Sequence, residues 1–255
     1  MTKVAFITGA SSGLGAGLAR HLALRGGYAV ALAARRVQRL DSLVQEIRGG
    51  GGTAVAYECD VRDRVQVRTA VEAAEAELGP VDLMVANAGI SGMTLAHALD
   101  VAQVENIMST NFFGAVYATE AVLPSMLARG SGHLVAVGSL TGYGGLPKTA
   151  AYSASKGALH NFFESLRVDL RDTGVDVTVV TPGYVRTEMT AKNAHPMPLL
   201  VELDDAVALM VDAIAKRRKL LAFPRPLFGA VWFAQVLPSR VYDWLASRIR
   251  REKRG

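Results

Sequence analysis

A glycine-rich turn directly follows the first apolar run of the chain and opens a helical pattern. The run covers residues 4–8 (Val-Ala-Phe-Ile-Thr), and the helical pattern covers residues 13–25. Gly9 allows a tight turn, Gly13 lets the backbone approach a pyrophosphate, and Gly15 lets helix and strand pack closely. The free N–H groups of the helix N-terminus favour phosphate. The sequence therefore predicts a dinucleotide-binding turn, the alternative being an ordinary strand–helix connection.

Apolar runs and helical patterns alternate along the chain after this turn. We predict further strands at residues 28–34, 53–58, 81–86, 133–138 and 175–181, and further helices at about 37–48, 63–78, 100–129 and 151–172. Continuous apolar strands separated by helices indicate a parallel sheet that is covered on both faces. The predicted fold class is α/β, a doubly wound parallel sheet of the Rossmann type, with its ligand site at the carboxyl ends of the strands. We expect a catalytic domain over residues 1–225 and a helical extension over residues 226–255.

Composition limits the class of protein further. The 255 residues are 50% hydrophobic, which suits one large domain. The single cysteine, Cys59, and five scattered histidines favour neither a disulfide framework nor a metal site. We expect a reducing, cytoplasmic compartment. We expect no cleavable leader and no membrane span, because no small-residue cleavage signal and no uninterrupted apolar stretch of 18 or more residues is found in the sequence.

The positive charge is concentrated at one end of the chain. Residues 1–215 carry 17 basic and 21 acidic side chains, whereas residues 216–255 carry 11 basic and 2 acidic ones. The main body is therefore net acidic, which argues against a nucleic-acid-binding module. The basic C-terminal end needs a separate interpretation.

Two arginines, Arg35 and Arg36, follow Ala34 at the end of the second predicted strand. In folds of this type an acidic residue here accepts a hydrogen bond from the ribose of NAD, whereas an arginine accommodates the 2′-phosphate of NADP. The sequence therefore predicts NADP(H) in preference to NAD(H). The alternative is that both arginines are solvated surface charges.

Tyr152 and Lys156 lie four residues apart, and Tyr152 lies thirteen residues after Ser139. Residues at this spacing share one face of a helix. An ammonium beside a phenol favours the phenolate and so lowers the phenol pKa from its usual value near 10. The pair predicts a proton-transfer site, although a Tyr-x-x-x-Lys match taken alone is more often a surface or packing feature.

In combination, these motifs resemble the short-chain dehydrogenase/reductase family over roughly residues 3–190. Ala86 departs from the family pattern, which often has a further asparagine there. The matching elements are the turn Thr8 to Gly15, Asp60 before Val61, Asn87-Ala88-Gly89, Asn111, the set Ser139, Tyr152 and Lys156, and Pro182-Gly183 with Val185 and Thr187.

The resemblance implies a hydride transfer between a nicotinamide and a carbonyl or alcohol carbon. It implies that Tyr152 exchanges a proton with the substrate oxygen, Ser139 donates to that oxygen, Lys156 assists Tyr152 and binds the nicotinamide ribose, and Asn111 holds a helix irregularity. The implied cofactor-binding residues are Gly9, Ser11, Ser12, Gly13, Leu14, Gly15, Arg35, Arg36, Asp60, Val61, Asn87, Ala88, Gly89, Tyr152, Lys156, Pro182, Gly183, Val185 and Thr187. It also implies a homodimer or homotetramer.

The substrate is expected to be a hydrophobic ketone, aldehyde or secondary alcohol, because the predicted pocket wall is mostly apolar. A segment at about residues 188–202 is expected to act as a lid, with Lys148, Arg186 and Lys192 nearby. One alternative is a non-catalytic NADP-binding regulator on the same scaffold, and another is a membrane-associated lipid carbonyl reductase. The predicted wall and lid residues are Leu140, Thr141, Tyr143, Leu146, Tyr184, Met189, Met197, Leu199 and Leu200.

The C-terminal extension combines aromatic, apolar and basic residues. Residues 223–226 (Phe-Pro-Arg-Pro) predict a break, and an apolar segment follows over residues 227–237. Val241, Tyr242, Leu245 and Ile249 then recur at helical spacing, with Trp244 adjacent. An amphipathic basic helix with aromatics favours a membrane interface. The alternative is packing over the substrate pocket or a subunit interface. The terminal basic cluster comprises Arg248, Arg250, Arg251, Lys253 and Arg254.

Overall fold

A computed structural model describes residues 2–191 and 196–251, and side chains as far as residue 248. Within these ranges, one sheet of seven parallel strands has the order β3-β2-β1-β4-β5-β6-β7. This arrangement confirms the predicted α/β doubly wound fold. The strands are β1 (Lys3–Thr8), β2 (Tyr28–Ala34), β3 (Ala54–Glu58), β4 (Val81–Ala86), β5 (Gly132–Val137), β6 (Val175–Pro182) and β7 (Leu220–Phe223).

Helices connect the strands and cover both faces of the sheet. Asp63 and Asp100 cap two of them, because each carboxylate accepts hydrogen bonds from the first free N–H groups. The helices are α1 (Gly13–Leu24), α2 (Val37–Gly49), α3 (Arg64–Leu78), α4 (Val101–Met108), α5 (Gly114–Arg129), α6 (Ala150–Asp169), α7 (Glu188–Ala191), α8 (Leu203–Ala215), α9 (Arg225–Ala234) and α10 (Ser239–Arg251).

Two apolar cores lie on opposite faces of the sheet. On one face α1, α2 and α8 bury residues such as Leu18 and Met210, and on the other α3, α5 and α6 bury residues such as Met126 and Phe163. Each fully buried side chain of this size contributes about 1.5–3 kcal/mol through removal of apolar surface from water. The strands are apolar on both faces for this reason, and the sheet is a rigid base for the loops at its carboxyl edge.

The direction of strand progression reverses between β1 and β4, which are hydrogen-bonded neighbours. Such a reversal leaves a crevice at the carboxyl ends of the strands, because the following helices lie on opposite faces of the sheet. The glycine turn after β1 and the loop after β4 therefore meet at the same edge of the sheet.

The structure differs from the sequence expectations in two regions. The helix expected over about residues 100–129 is interrupted by a π-helical turn, Ser109–Phe113, between α4 and α5. Sequence analysis assigned no element to residues 203–222, where α8 and most of β7 lie. The predicted break at residues 223–226 covers the end of β7 and the start of α9, with Pro224 between the two elements. Of the predicted lid and tail residues, Lys192, Lys253 and Arg254 lie outside the described residues, as do the side chains of Ile249, Arg250 and Arg251.

Candidate functional site

A cleft of about 590 Å³ opens at the carboxyl edge of the sheet, where the strand order reverses. Most of the residues predicted for the site line this cleft. Gly15 and Asn111 are not on its surface, and their positions are described below. The predicted residues that line it are Gly9, Ser11, Ser12, Gly13, Leu14, Arg35, Arg36, Asp60, Val61, Asn87, Ala88, Gly89, Ser139, Tyr152, Lys156, Pro182, Gly183, Val185 and Thr187.

The glycine turn is shaped by close backbone contacts. Gly9 has a φ of +65° and Gly13 a φ of +56°, which L side chains rarely adopt. A Cβ on Gly9 would lie 2.7 Å from Cα of Ala88, and one on Gly15 would lie 2.5 Å from Nδ2 of Asn87. Gly15 thus lets α1 pack against the loop that follows β4. The residues present fit a dinucleotide, because a bare backbone turn at a helix N-terminus faces the cleft.

The loop after β4 is tied directly to the end of β1. Oγ1 of Thr8 accepts hydrogen bonds from the backbone N–H groups of Asn87 and Ala88, each at 3.1 Å. Nδ2 of Asn87 donates to the carbonyl oxygens of Thr8 at 3.0 Å and Gly9 at 3.2 Å. These bonds satisfy buried polar groups at the edge of the sheet and fix the two loops as one unit.

Arg36 forms an anion-binding group with the hydroxyls of the glycine turn. Its Nε donates to Oγ of Ser11 at 3.1 Å, and its Nη2 donates to Oγ of Ser12 at 2.5 Å. Its Nη1 contacts the carboxylate of Glu188 at 3.1 Å, and that carboxylate also accepts a 2.5 Å hydrogen bond from Arg39. These two arginines hold the pKa of Glu188 below its usual value. A carboxylate from the predicted lid segment therefore lies beside the group expected to receive a phosphate.

Asp60 also lines the cleft, near Arg35. Its carboxylate accepts hydrogen bonds from Arg62 at 2.5 Å, and it lies 4.0 Å from Nη1 of Arg35. The hydrogen bonds from Arg62 are the main cause of a lowered pKa for Asp60. Arg39, Arg62 and Glu188 were not selected from the sequence, because a charged residue outside a motif gives no signal of its partner.

Asn111 lies in the π-helical turn, one layer behind the cleft. Its Oδ1 accepts from the backbone N–H of Ile90 at 2.8 Å, and its Nδ2 donates to the carbonyl of Ile90 at 3.0 Å and to Oγ of Ser155 at 2.9 Å. Single π-helical turns often occur at functional sites. The irregularity expected at Asn111 is therefore present, and Asn111 joins α6 to the loop after β4.

Ser139, Tyr152 and Lys156 converge on the cleft from β5 and α6. Ser139 follows β5, and its Oγ accepts from Oγ1 of Thr141 at 3.0 Å. Tyr152 and Lys156 share the face of α6 turned toward β5, as their spacing predicts. Nζ of Lys156 donates to the carbonyl oxygen of Val137 at 2.7 Å and lies 6.0 Å from the ring centroid of Tyr152.

Burial sets the protonation equilibria of these groups. It raises the pKa of Tyr152, and a hydrogen bond with Ser139 opposes that rise. It lowers the pKa of Lys156 to about 8. The structure therefore does not show the lowered phenol pKa that the Tyr–Lys spacing predicts. The physical reason is that desolvation disfavours both charged forms, while the ammonium is bound to a backbone carbonyl rather than to the phenol oxygen.

His160 supports the loop that carries Ser139, and sequence analysis missed it. It lies one helical turn beyond Lys156 on α6 and is buried. Its Nε2 accepts a 3.3 Å hydrogen bond from the backbone N–H of Ser139, so the neutral ring has its proton on Nδ1. Burial lowers its pKa to about 4. A Cβ on Gly138 or Gly142 would collide with the imidazole. The spacing of four residues from Tyr152 to Lys156 to His160 places it on the same side of α6, whereas its contact with the Ser139 loop is seen only in the fold.

Only part of the predicted substrate wall lines the cleft. Met189 lines the cleft, whereas Leu140 is buried and Tyr143 packs between His160 and Phe228, with ring centroids 4.9 and 5.5 Å away. In the lid segment, the backbone N–H of Val201 donates to the carbonyl of Tyr184 at 2.9 Å. Thr141, Leu146, Leu199 and Leu200 are described but do not line the cleft.

The C-terminal helices α9 and α10 cover the loop after β5. The hydroxyl of Tyr242 on α10 donates to the carbonyl oxygen of Gly145 at 2.6 Å. A Cβ on Gly183 would lie 2.9 Å from Leu227 of α9. These contacts place both helices beside the end of the cleft that holds Ser139.

The described residues also bear on metal binding and membrane insertion. Over residues 2–191 and 196–251, no group of three or more histidine, cysteine, aspartate or glutamate side chains is arranged to hold a metal ion. No helix in that part of the chain is long and apolar enough to cross a membrane.

Comparison with known proteins agrees with this geometry. The family model for short chain dehydrogenases matches residues 3–197. The chain is 47% identical to an uncharacterized oxidoreductase of Myxococcus xanthus, over 97% of this chain and 98% of that protein. It is similar to an actinorhodin polyketide ketoreductase solved with NADPH (TM-score 0.80, 29% identity, 87% of this chain and 95% of the other). It is also similar to a Burkholderia phymatum short chain dehydrogenase/reductase solved with NAD (TM-score 0.83, 25% identity, 90% and 91%).

The family match, the parallel sheet and the shared cleft lead to one conclusion: the chain belongs to the short-chain dehydrogenase family and is an oxidoreductase that uses a nicotinamide cofactor.

Proposed function

We propose that this protein is an NADP(H)-dependent oxidoreductase that interconverts a hydrophobic ketone or aldehyde and the corresponding alcohol. The observation that carries the proposal is that Ser139, Tyr152 and Lys156 line the same cleft as the anion-binding group of Arg36, Ser11 and Ser12. Ser139, Tyr152 and Lys156 transfer the proton and stabilise charge in a carbonyl reduction. The group of Arg36, Ser11 and Ser12 binds a phosphate of the cofactor.

Tyr152 supplies the proton. The phenol is protonated at neutral pH, since its ordinary pKa is near 10 and burial raises it further. It donates this proton to a carbonyl oxygen as negative charge develops there. Ser139, held by its neighbours after β5, donates a second hydrogen bond to the same oxygen and stabilises that charge. NADPH, when bound, supplies the hydride. Lys156, bound to Val137, holds a positive charge near the phenolate that remains.

Preference for NADP(H) follows from the charges at the end of β2. Ala34 stands where an acidic residue would bind the ribose of NAD, and Arg36 is already oriented by Ser11 and Ser12. Hydrogen bonds to a charged group contribute about 1.5–3 kcal/mol each, so loss of this arginine lowers affinity for a 2′-phosphate by about 10- to 150-fold. Glu188 must leave Arg36 when the phosphate binds.

The remaining lining supports an apolar substrate. The basic residues that line the described cleft are Arg35, Arg36 and Lys156, and this proposal assigns all three to the cofactor or to proton transfer. Ile90 and Met189 provide apolar surface at the cleft. A carboxylate on the substrate would therefore lack a bidentate arginine partner, whereas an apolar chain would be accommodated.

The test of catalysis compares the wild type with Tyr152→Phe on a panel of lipophilic ketones, aldehydes and secondary alcohols, followed by NADPH absorbance. The variant is expected to lose turnover while its NADPH dissociation constant stays within a few-fold. Undiminished kcat in the variant would contradict the role of Tyr152.

The test of cofactor choice measures kcat/KM for NADPH and NADH in the wild type and in Arg36→Gln. We expect a wild-type preference for NADPH that falls by about 10- to 150-fold in the variant, with the NADH value little changed. Arg171→Gln, an exposed substitution far from the cleft, is the matched control. A wild-type preference for NADH would refute the assignment of NADP(H).

A further inference from the structure

Two exposed apolar faces distinguish α9 and α10 from the other helices. At the end of α9 and in the turn that follows it, Trp232, Phe233 and Val236 are 58, 59 and 64% exposed. On α10, Val241, Trp244 and Leu245 are 41, 52 and 42% exposed. The α10 residues, at i, i+3 and i+4, share one side of that helix, and Val236 follows Trp232 and Phe233 directly after the last turn of α9. Large apolar side chains concentrated on a surface in this way mark an interaction site.

The opposite sides of both helices are anchored to the body of the protein, so the exposed faces have a fixed orientation. Phe228 packs its ring 5.5 Å from that of Tyr143, and Tyr242 donates to the carbonyl of Gly145. A Cβ on Gly144 would meet the side chains of both Gln235 and Tyr242. The exposed aromatic residues therefore belong to helices that are packed against the body of the protein.

The charges around these faces are nearly all positive. Arg225, Arg240 and Arg248 are exposed on α9 and α10. Among the described residues of these two helices, Asp243 is the single acidic side chain. The guanidinium of Arg248 lies 3.7 Å from the ring of Trp244, which places a cation within the apolar face. Over residues 225–255 the sequence has seven basic and two acidic residues. Facing a second copy of the same surface would bring like charges together, whereas an anionic surface would be complementary.

We propose that the paired apolar faces of α9 and α10 dock this protein onto the interface of an anionic lipid bilayer. Aromatic rings and aliphatic side chains enter the boundary between headgroups and acyl chains, and the flanking arginines contact lipid phosphates. Each basic residue near such a surface increases binding by about five-fold at most. Because the inner sides of α9 and α10 cover the loop after β5, docking places the mouth of the cleft beside the bilayer, which suits a lipophilic substrate.

The two tryptophans of the chain provide the assay, because Trp232 and Trp244 both lie on the proposed docking faces. The full chain is mixed with vesicles of phosphatidylcholine and phosphatidylglycerol, or of phosphatidylcholine alone. Intrinsic fluorescence and co-sedimentation are then measured. We expect a blue shift and sedimentation with the anionic vesicles, at least five-fold weaker binding to the neutral ones, and weaker binding at high salt.

Phe233→Ser combined with Val236→Ser keeps both tryptophans and is expected to reduce vesicle binding by at least ten-fold. Val65→Ser with Val101→Ser is the matched control, since those residues are 59 and 60% exposed elsewhere and should bind as wild type does. Arg240→Glu with Arg248→Glu should also lose binding, whereas the exposed control Arg171→Glu should not.

Absence of a shift and of sedimentation with anionic vesicles would overturn the proposal. Equal binding to neutral vesicles would overturn the choice of an anionic surface. A blue shift that grows with protein concentration without lipid, and that Phe233→Ser with Val236→Ser removes, would assign the faces to a second copy instead. None of these measurements depends on turnover, so failure here is distinguishable from failure of the proposed function.

Discussion

Lys156 carries a desolvation cost that substitution should remove. Burial lowers its pKa from 10.5 to about 8, and this fall corresponds to about 3.4 kcal/mol against the charged form in the folded state. Lys156→Met removes that cost and keeps a similar stem, but it leaves the carbonyl of Val137 without its donor, which costs about 1 kcal/mol. At pH 7 the variant should therefore be more stable by about 2 kcal/mol, or by about 4–8 °C in Tm for a chain of this size.

The same reasoning predicts how this difference depends on pH. Between about pH 8 and 10.5 the folded wild type has released the proton of Lys156 while the unfolded chain retains it, so wild-type stability rises with pH. The advantage of the variant should therefore shrink above pH 8 and vanish near pH 9.5. Other groups titrate in both proteins and cancel in the difference.

Urea unfolding at several values from pH 7 to pH 10 measures this difference. Lys219→Met, a substitution of an exposed lysine, is the control and should show no comparable gain at pH 7. A variant that is less stable than wild type at pH 7, or a difference that stays constant from pH 7 to pH 9.5, would refute the reasoning. Either result would mean that the ammonium is stabilised by its surroundings rather than penalised by burial.

Three further substitutions test other parts of the site. Gly15→Ala should lower both the unfolding free energy, by about 1–3 kcal/mol, and cofactor affinity, because its methyl group would lie 2.5 Å from Nδ2 of Asn87; urea unfolding and cofactor titration at wild-type values would contradict this. His160→Leu should reduce the loss of unfolding free energy that occurs as the pH falls. The folded histidine has a pKa of about 4 and the unfolded one about 6.5, so the wild type loses up to about 3.4 kcal/mol more than the variant as pH falls through that range. The buried His133 contributes equally to both chains, so equal slopes of Tm against pH would disprove the role of His160. Glu188→Gln should tighten NADP+ binding by a few-fold in calorimetry and leave NAD+ binding unchanged, because its carboxylate no longer occupies Arg36; equal effects on both cofactors would refute the competition.

Much of this architecture follows from local patterns in the sequence. The glycine turn and the apolar strands are local signals, because backbone conformation at Gly9 and burial on both faces of a parallel strand each require particular residues. The convergence of Ser139, Tyr152 and Lys156 follows from their positions at one strand end and on one helix face. These features required no knowledge of distant contacts.

What the sequence missed depends on tertiary contacts. The role of His160 arises because Gly138 and Gly142 leave room for an imidazole, which only the folded loop shows. The pKa of Tyr152 is raised because the phenol is buried and because Lys156 donates to Val137 rather than to the phenol oxygen. A four-residue spacing in the sequence reveals neither of these facts. The contact of Glu188 with Arg36 joins residues far apart in the chain, so no motif could reveal it.

Helix α6 carries the proton donor, its cationic neighbour and the histidine that supports the serine loop on three successive turns. Their mutual spacing is therefore set by the covalent geometry of one helix, whereas the apolar cover comes from separate helices at the C-terminal end. The groups on α6 and the C-terminal cover are thus carried by different segments of the chain. For protein engineering, this separation means that α9 and α10 can be altered while Tyr152, Lys156 and His160 keep their arrangement.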